Sequence, residues 1–160
     1  MATTYTNIQA ALNYHLSQLS GVPTTIQWEN TTVTPPDDDL YLRTFFLPAT
    51  PSYPFIGSDG QTYEHGIFQI DVLGIKGSGW GAVYSTVDDL IAYFYRDKTI
   101  TYGTDYLIMR GVNITIRGDR LTMGGSGNIT VYIEKSYPMR GNVEGDRYKV
   151  PVSIDYFGYF

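Results

Sequence analysis

The spacing of apolar residues along the chain predicts two helices. In residues 6–20 the apolar positions recur every three or four residues, as on one face of an α-helix; they are Ile8, Ala11, Leu12, Leu16 and Leu19. Residues 81–97 repeat the pattern with Val83, Val87, Leu90, Ile91 and Phe94. We expect Arg96 and Lys98 at the C-terminal end of this second helix, where positive charge is favourable.

Alternation of apolar and polar residues predicts β-strands elsewhere. In residues 66–75, Phe68, Ile70 and Val72 alternate with Gln69 and Asp71, which is typical of a strand with one face on a core. Further strands are predicted at 25–29, 40–47, 106–110, 112–117, 128–135 and 148–157. We therefore expect an α+β fold, a mainly antiparallel β-sheet with two α-helices packed on one face, in a single domain of residues 1–160.

Two proline-rich segments are expected to be exposed loops. Residues 30–39 contain Pro35 and Pro36 and end in three adjacent carboxylates, Asp37, Asp38 and Asp39. Residues 51–63 contain a glycine-rich turn at 57–60 and four large apolar or aromatic residues, Tyr53, Phe55, Ile56 and Tyr63. So much apolar area on a loop indicates contact with another protein.

We expect the acidic loop of Asp37 to Asp39 to face a positively charged surface. The candidates for a basic patch on a neighbouring subunit or another protein are Arg110, Arg117 and Arg140. The chain also ends in a group of aromatic residues, Tyr156, Phe157, Tyr159 and Phe160. These either belong to the core or dock onto a neighbouring subunit, because a chain end usually frays unless it packs against something.

Composition narrows the class of protein. The 160 residues include no cysteine, which excludes disulfides, thiolate metal sites and thiol nucleophiles. A net charge of −5 argues against a nucleic-acid binder with a broad basic face. The 15 tyrosines and the low charged fraction of 17% favour a protein that works through contacts. Neither a secretory signal nor an apolar run of the ~20 residues that a membrane span needs is evident.

No catalytic, cofactor or metal site is expected. His15 and His65 are isolated, and no nucleophile motif accompanies them. The glycines at 77, 79 and 81 lack the spacing of a dinucleotide or phosphate loop. The carboxylates of Asp37 to Asp39 are adjacent and point in different directions, unlike the alternating ligands of a calcium loop.

Five segments in a fixed order carry a resemblance to a known family. They are the helix with Ile8-Gln9-Ala10-Ala11-Leu12, the strand ending in Trp28-Glu29-Asn30, the Pro35-Pro36 loop before Leu40-Tyr41-Leu42-Arg43, the strand with Phe68-Gln69-Ile70-Asp71-Val72, and the glycine-rich turn before Val87-Asp88-Asp89-Leu90-Ile91. Together they resemble the tail terminator proteins of long non-contractile-tailed, lambda-like bacteriophages. The resemblance covers roughly residues 5–97.

The resemblance implies a small α+β virion assembly protein without catalytic activity or cofactor. It implies a hexameric ring that caps the tail tube, ends its polymerisation and offers a surface for head joining. The implied partners are other copies of the chain, the tail tube protein and a head-completion or connector protein. No membrane and no sequence-specific nucleic acid are implied, although DNA could pass through the ring. The implied location is the tail or neck of the virion, after assembly in the host bacterial cytoplasm.

Other functions fit the same composition. One is a different phage neck or head-completion connector protein. Another is a glycan-binding β-rich module with Trp28 and Trp80 as stacking platforms. A phosphoesterase-like enzyme is the third. A ring predicts a defined oligomer, whereas a glycan-binding module predicts a monomer or dimer that a sugar resin retains.

Overall fold

The computed structural model describes residues 4–21, 23–54, 62–102 and 129–160. These residues form two helices and seven strands. In chain order they are α1 (Thr4–Ser17), β1 (Ile26–Gln27), β2 (Tyr41–Pro48), β3 (Tyr63–Ile75), α2 (Gly81–Tyr93), β4 (Thr99–Tyr102), β5 (Ile129–Pro138), β6 (Asn142–Glu144) and β7 (Arg147–Tyr159).

The strands form one sheet in the order β1-β2-β3-β7-β5-β4, and β6 pairs with β7 beyond the end of β5. Only the short β1 pairs in parallel with its neighbour among the described strands; the remaining pairs are antiparallel. The two longest strands, β3 and β7, pair along their whole lengths at the centre. The predicted α+β fold with a mainly antiparallel sheet is confirmed.

Both helices cover the same face of the sheet. On that face Phe68, Ile70 and Val72 of β3 lie opposite Ile154, Val152 and Val150 of β7, and all six side chains are buried. The apolar stripes of the helices join the same hydrophobic cluster: Ile8, Ala11, Leu12 and Leu16 from α1, and Val83, Val87 and Leu90 from α2, with Phe94 just after it. The predicted packing of the second helix against the strand at 66–75 is therefore confirmed.

The second helix ends earlier than predicted. α2 stops at Tyr93, and Asp97 adopts a left-handed φ of 66°. The chain then joins the sheet, because the Asp97 N–H donates to the Ile133 carbonyl and the Ile133 N–H donates to the Lys98 carbonyl. The expected placement of Arg96 and Lys98 at the helix end is wrong, since both lie beyond it. The strands predicted at 106–110 and 112–117 lie outside the described residues.

The strand at the centre of the sheet begins earlier than predicted. β3 starts at Tyr63, which pairs with Tyr159 of β7. Tyr63 therefore belongs to the sheet. The expectation that it lies in the exposed loop of residues 51–63 is wrong. Further along β3, Gly74 lies under α2, and a Cβ placed there would overlap Val83 Cγ2. The absence of a side chain at Gly74 lets the helix approach the sheet.

Candidate interaction surfaces

The acidic loop is held by an arginine of its own chain. The buried Arg147 donates from Nη1 to the Asp39 carbonyl at 2.7 Å and from Nη2 to the Pro36 carbonyl. Asp39 also accepts the Leu40 N–H through Oδ1 at 2.7 Å. These bonds order the backbone and leave Asp37, Asp38 and Asp39 exposed. Within the described part of the chain none of the three carboxylates forms an ion pair.

Only part of the predicted apolar loop of residues 51–63 lies within the described residues. Tyr53 is 74% exposed, and the neighbouring Ser52 exchanges two backbone hydrogen bonds with Tyr63, at 3.0 and 2.8 Å. Tyr53 thus projects from a short bridge beside the start of β3. Phe55 and Ile56 lie outside the described residues.

The predicted basic patch is not assembled within the described residues. Arg140 is exposed after the end of β5, where the Met139 N–H donates to the Pro151 carbonyl at 2.7 Å. No ion pair of Arg140 occurs among residues 4–21, 23–54, 62–102 and 129–160. Arg110 and Arg117 lie outside those ranges.

The aromatic chain end packs onto its own sheet. Phe160 exchanges backbone hydrogen bonds with Thr62, at 2.7 and 2.9 Å. Tyr156 points under the helices and is buried. Phe157 and Tyr159 point to the opposite face, where they form an aromatic patch with Tyr63, His65 and Tyr132. The ring centroids of neighbouring members lie 5.1 to 5.9 Å apart, except in the Phe157–Tyr159 pair, where the distance is 6.4 Å. Docking onto a neighbour is therefore not needed to order the chain end.

A charged network that the residue pattern did not predict lies on the face of the sheet opposite the helices. Arg43 Nη2 donates to Asp71 Oδ2 at 3.0 Å and to Glu144 Oε2 at 2.8 Å. Lys149 Nζ lies 3.6 Å from the same Glu144 oxygen. The hydrogen bond from Arg43 lowers the pKa of Glu144. Two positive and two negative groups offset each other here, so the network stabilises the sheet locally and offers no charged docking surface. The sequence signal was a charged residue in each of four strands, β2, β3, β6 and β7.

An apolar groove opens between the end of α1 and β1. It has a volume of about 390 Å³, and its apolar walls are Leu16, Leu19, Pro23, Ile26 and Trp28. Trp28 is partly buried and packs against the hydrophobic core, so it does not present a free ring for stacking on a sugar. By contrast, Trp80, which directly precedes α2, is 69% exposed.

The two histidines occupy structural positions. His15 is buried between the helices, stacked on Tyr93 at 4.2 Å and edge-on to Phe94 at 5.1 Å. Burial, with a smaller contribution from the Lys98 charge, lowers its pKa to about 4. His65 stacks on Tyr63 on the other face of the sheet. In the described residues no group of three or more His, Asp or Glu side chains could hold a metal ion. Of the helices in those ranges, none has the length and apolarity to cross a membrane.

Comparison with known proteins identifies a matching family model and a solved structure with a similar fold. The model of a family described as phage tail terminator protein matches residues 7–156. A solved chain is 22% identical in sequence and superposes with a TM-score of 0.66, over 97% of this chain and 95% of that chain. At that identity the likeness shows the fold alone. Among curated proteins, none matches this sequence.

Proposed function

Because this chain belongs to the phage tail terminator family and is therefore a structural component of the virion tail, we propose that it caps the tail tube and ends tube polymerisation. The observation that carries this proposal is the family match over residues 7–156, which covers most of the chain. The cap then provides the surface for joining the head through a completion or connector protein. It acts by contact, without catalysis or cofactor, and is assembled in the host bacterial cytoplasm.

We further propose that the cap is a hexameric ring on a tail of the long, non-contractile type. A ring needs a heterologous interface, in which each subunit offers one patch and accepts a different one. Two unlike surfaces at opposite ends of β3 support this arrangement. The 13 residues of β3 separate them by about 40 Å at ~3.3 Å per residue.

The two ends of β3 differ in chemistry. At its first residue lie the aromatic patch and the exposed ring of Tyr53. At its last residue, Ile75 pairs with Arg147, which holds the acidic loop of Asp37 to Asp39. The apolar end suits a lasting contact with the next subunit or with the last ring of the tube. The acidic end suits an oriented encounter with a basic surface, on a neighbour or on the head-side protein.

A tail-capping assay tests the proposed function. Tail tube protein is polymerised with and without this chain, and tube lengths are measured by electron microscopy. We expect the chain to stop elongation and to appear as a density at one tube end. Tyr53→Asp and Phe55→Asp should abolish capping without changing the thermal unfolding temperature, because a charge in an apolar contact leaves an unpaired ion when the contact forms.

Tyr95→Asp is the matched control, since Tyr95 is also an exposed tyrosine, 49% accessible, but lies after α2. This variant should cap tubes as the wild type does. Tubes that elongate equally with and without the wild-type chain would refute the proposed function. Normal capping by both Tyr53→Asp and Phe55→Asp would instead show that the 51–63 segment is not the contact.

A further inference from the structure

A buried carboxylate without a counter-charge lies on the helix-covered face of the sheet. Glu64 is the second residue of β3, and only 7% of it is exposed. Its Oε2 atom has no hydrogen-bond partner, and no ion pair of Glu64 occurs within the described part of the chain. Burying a charge that is neither paired nor fully hydrogen-bonded is costly. Such a group in a folded protein therefore calls for a functional explanation.

Tyrosine hydroxyls lie beside this carboxylate. The hydroxyl of Tyr5, in the first turn of α1, donates a hydrogen bond to Glu64, and this bond raises the pKa of Tyr5. The hydroxyl of Tyr156 is buried without a partner; burial, with a smaller contribution from the Glu64 charge, raises the pKa of Tyr156. A carboxylate among aromatic rings suits an ammonium or guanidinium group, which it binds through charge-assisted hydrogen bonds and cation–π contacts.

Exposed apolar side chains border the same position. Tyr5, Leu47 and Tyr53 are all exposed. The Leu47 carbonyl lies against Gly66, the next residue of β3 on the face of Glu64. The residue before Tyr53 pairs with Tyr63, the residue before Glu64. A charged anchor surrounded by apolar side chains that exclude water is typical of a protein–protein contact, and arginine is a frequent anchor.

The charges of this chain favour a different protein over a second copy as the partner. Among the described residues, Lys76 and Arg140 are the exposed basic side chains without an ion pair. Lys76 directly follows the last residue of β3, and Arg140 follows Met139, which bonds to Pro151 opposite Asp71. Both therefore lie towards the end of β3 that carries the acidic loop. A second copy that presented this end would also bring three carboxylates towards Glu64, and like charges repel.

We propose that Glu64 receives an arginine or lysine side chain of the tail tube protein. This inference rests on the proposed function and names the chemistry of its contact with the last ring of the tube. Tyr5 connects the carboxylate to the surface, because its hydroxyl bonds to Glu64 while its ring is partly exposed. Rotation of this one side chain admits the cation, and such rotamer changes are common on binding.

Glu64→Gln tests this contact, because the amide keeps the shape of the side chain and an acceptor for Tyr5 but removes the charge. The free variant should unfold at a denaturant concentration equal to or above that of the wild type, since an uncompensated buried charge is lost. In the tail-capping assay, at least about tenfold more of the variant should be needed to stop elongation, because the partner's cation is left without a counter-charge.

Glu134→Gln is the matched control. Glu134 is an exposed carboxylate at the same end of the sheet, where its charge acts on Tyr63. This variant should unfold and cap tubes as the wild type does. If Glu64→Gln is less stable than the wild type, Glu64 holds the fold and the proposal is overturned. Capping by Glu64→Gln at the wild-type concentration would overturn it as well.

A double-mutant cycle then identifies the partner's cation. Each exposed arginine and lysine of the tube protein is changed to glutamine, and capping is measured with the wild-type chain and with Glu64→Gln. One tube variant should weaken capping by the wild-type chain and have no further effect on Glu64→Gln. If no tube variant behaves in this way, the proposal is wrong. Coupling of Glu64→Gln to Lys76→Gln or Arg140→Gln in ring formation, measured by native mass spectrometry, would assign the cation to a second copy and also overturn it.

The wild-type chain separates this proposal from the proposed function. A wild-type chain that does not stop tube elongation would refute the proposed function and this contact together. A wild-type chain that caps tubes no better than Glu64→Gln would refute the contact alone and leave the proposed function in place.

Discussion

At the scale of single residues, His15 is a buried titratable group whose charge state affects stability. Its ring is enclosed by Tyr93 and Phe94, and its Nε2 atom has no hydrogen-bond partner. Lys98 contributes a positive charge nearby and lies over the Tyr93 ring at 5.2 Å. Burial disfavours the charged form of His15, and the positive charge of Lys98 adds a smaller effect in the same direction, so the pKa of the residue falls to about 4.

This lowered pKa predicts that the fold weakens in mild acid. The unfolded chain binds a proton at His15 near pH 6.5, whereas the folded chain does so only near pH 4. The stabilising difference is therefore complete above pH 6.5 and is lost as the pH falls from 6.5 to 4, by about 3 kcal/mol in total. Denaturant unfolding at a series of pH values should show this loss. In His15→Phe the slope over the same interval should be smaller, and equal slopes would contradict the assignment.

At the scale of elements, the contact between α2 and β3 depends on a residue without a side chain. Gly74 is buried in β3 directly under Val83, the first buried residue of α2. Val87 and Leu90, further along α2, are buried in the same core. Any added volume at Gly74 must push the helix away from the sheet, because the interior is close-packed.

Gly74→Ala should therefore destabilise the protein by about 1–3 kcal/mol, the usual effect of overpacking a core. Chemical denaturation monitored by tryptophan fluorescence measures this change. The matched control is Gly81→Ala in the first turn of α2, where an added Cβ meets no atom within 4 Å; its stability should equal or slightly exceed that of the wild type. A denaturation midpoint of Gly74→Ala equal to that of the wild type would show that α2 can shift away from the sheet without loss of stability.

At the scale of the whole molecule, the ends of the central strand present different surfaces. One end is aromatic, and the other carries the exposed carboxylates of Asp37, Asp38 and Asp39 on a backbone held by Arg147. Exposed charges chiefly affect the rate and orientation of association, and salt screens them. Buried aromatic anchors determine how long a complex lasts. The two ends should therefore respond differently to substitution.

Replacing the three aspartates with asparagine should slow tube capping at low salt and have little effect at high salt. The unfolding temperature should stay unchanged, because none of the three carboxylates makes an ion pair within the described residues. Capping kinetics measured at low and high ionic strength provide the test. A capping defect of equal size at both ionic strengths would mean that the loop contributes shape and not charge.

The sequence by itself determined which residues face the core. The period of two in Phe68, Ile70 and Val72 and the helical period in Val83, Val87 and Leu90 follow from backbone geometry, so local spacing was sufficient. The exposed position of the acidic loop was also local in origin, since two adjacent prolines followed by three adjacent aspartates disfavour both a central strand and a place in the core.

Only the tertiary structure decided which distant residues meet. Arg43 contacts Asp71 and Glu144, which are 28 and 101 positions away, and Tyr63 pairs with Tyr159 because β3 and β7 share one register. The early end of α2 likewise depends on hydrogen bonds between residues 97–98 and β5. The groove requires α1 and β1 to lie side by side. The alternation within one strand specifies its buried face, whereas the choice of partner strand and the end of α2 depend on pairing with distant residues.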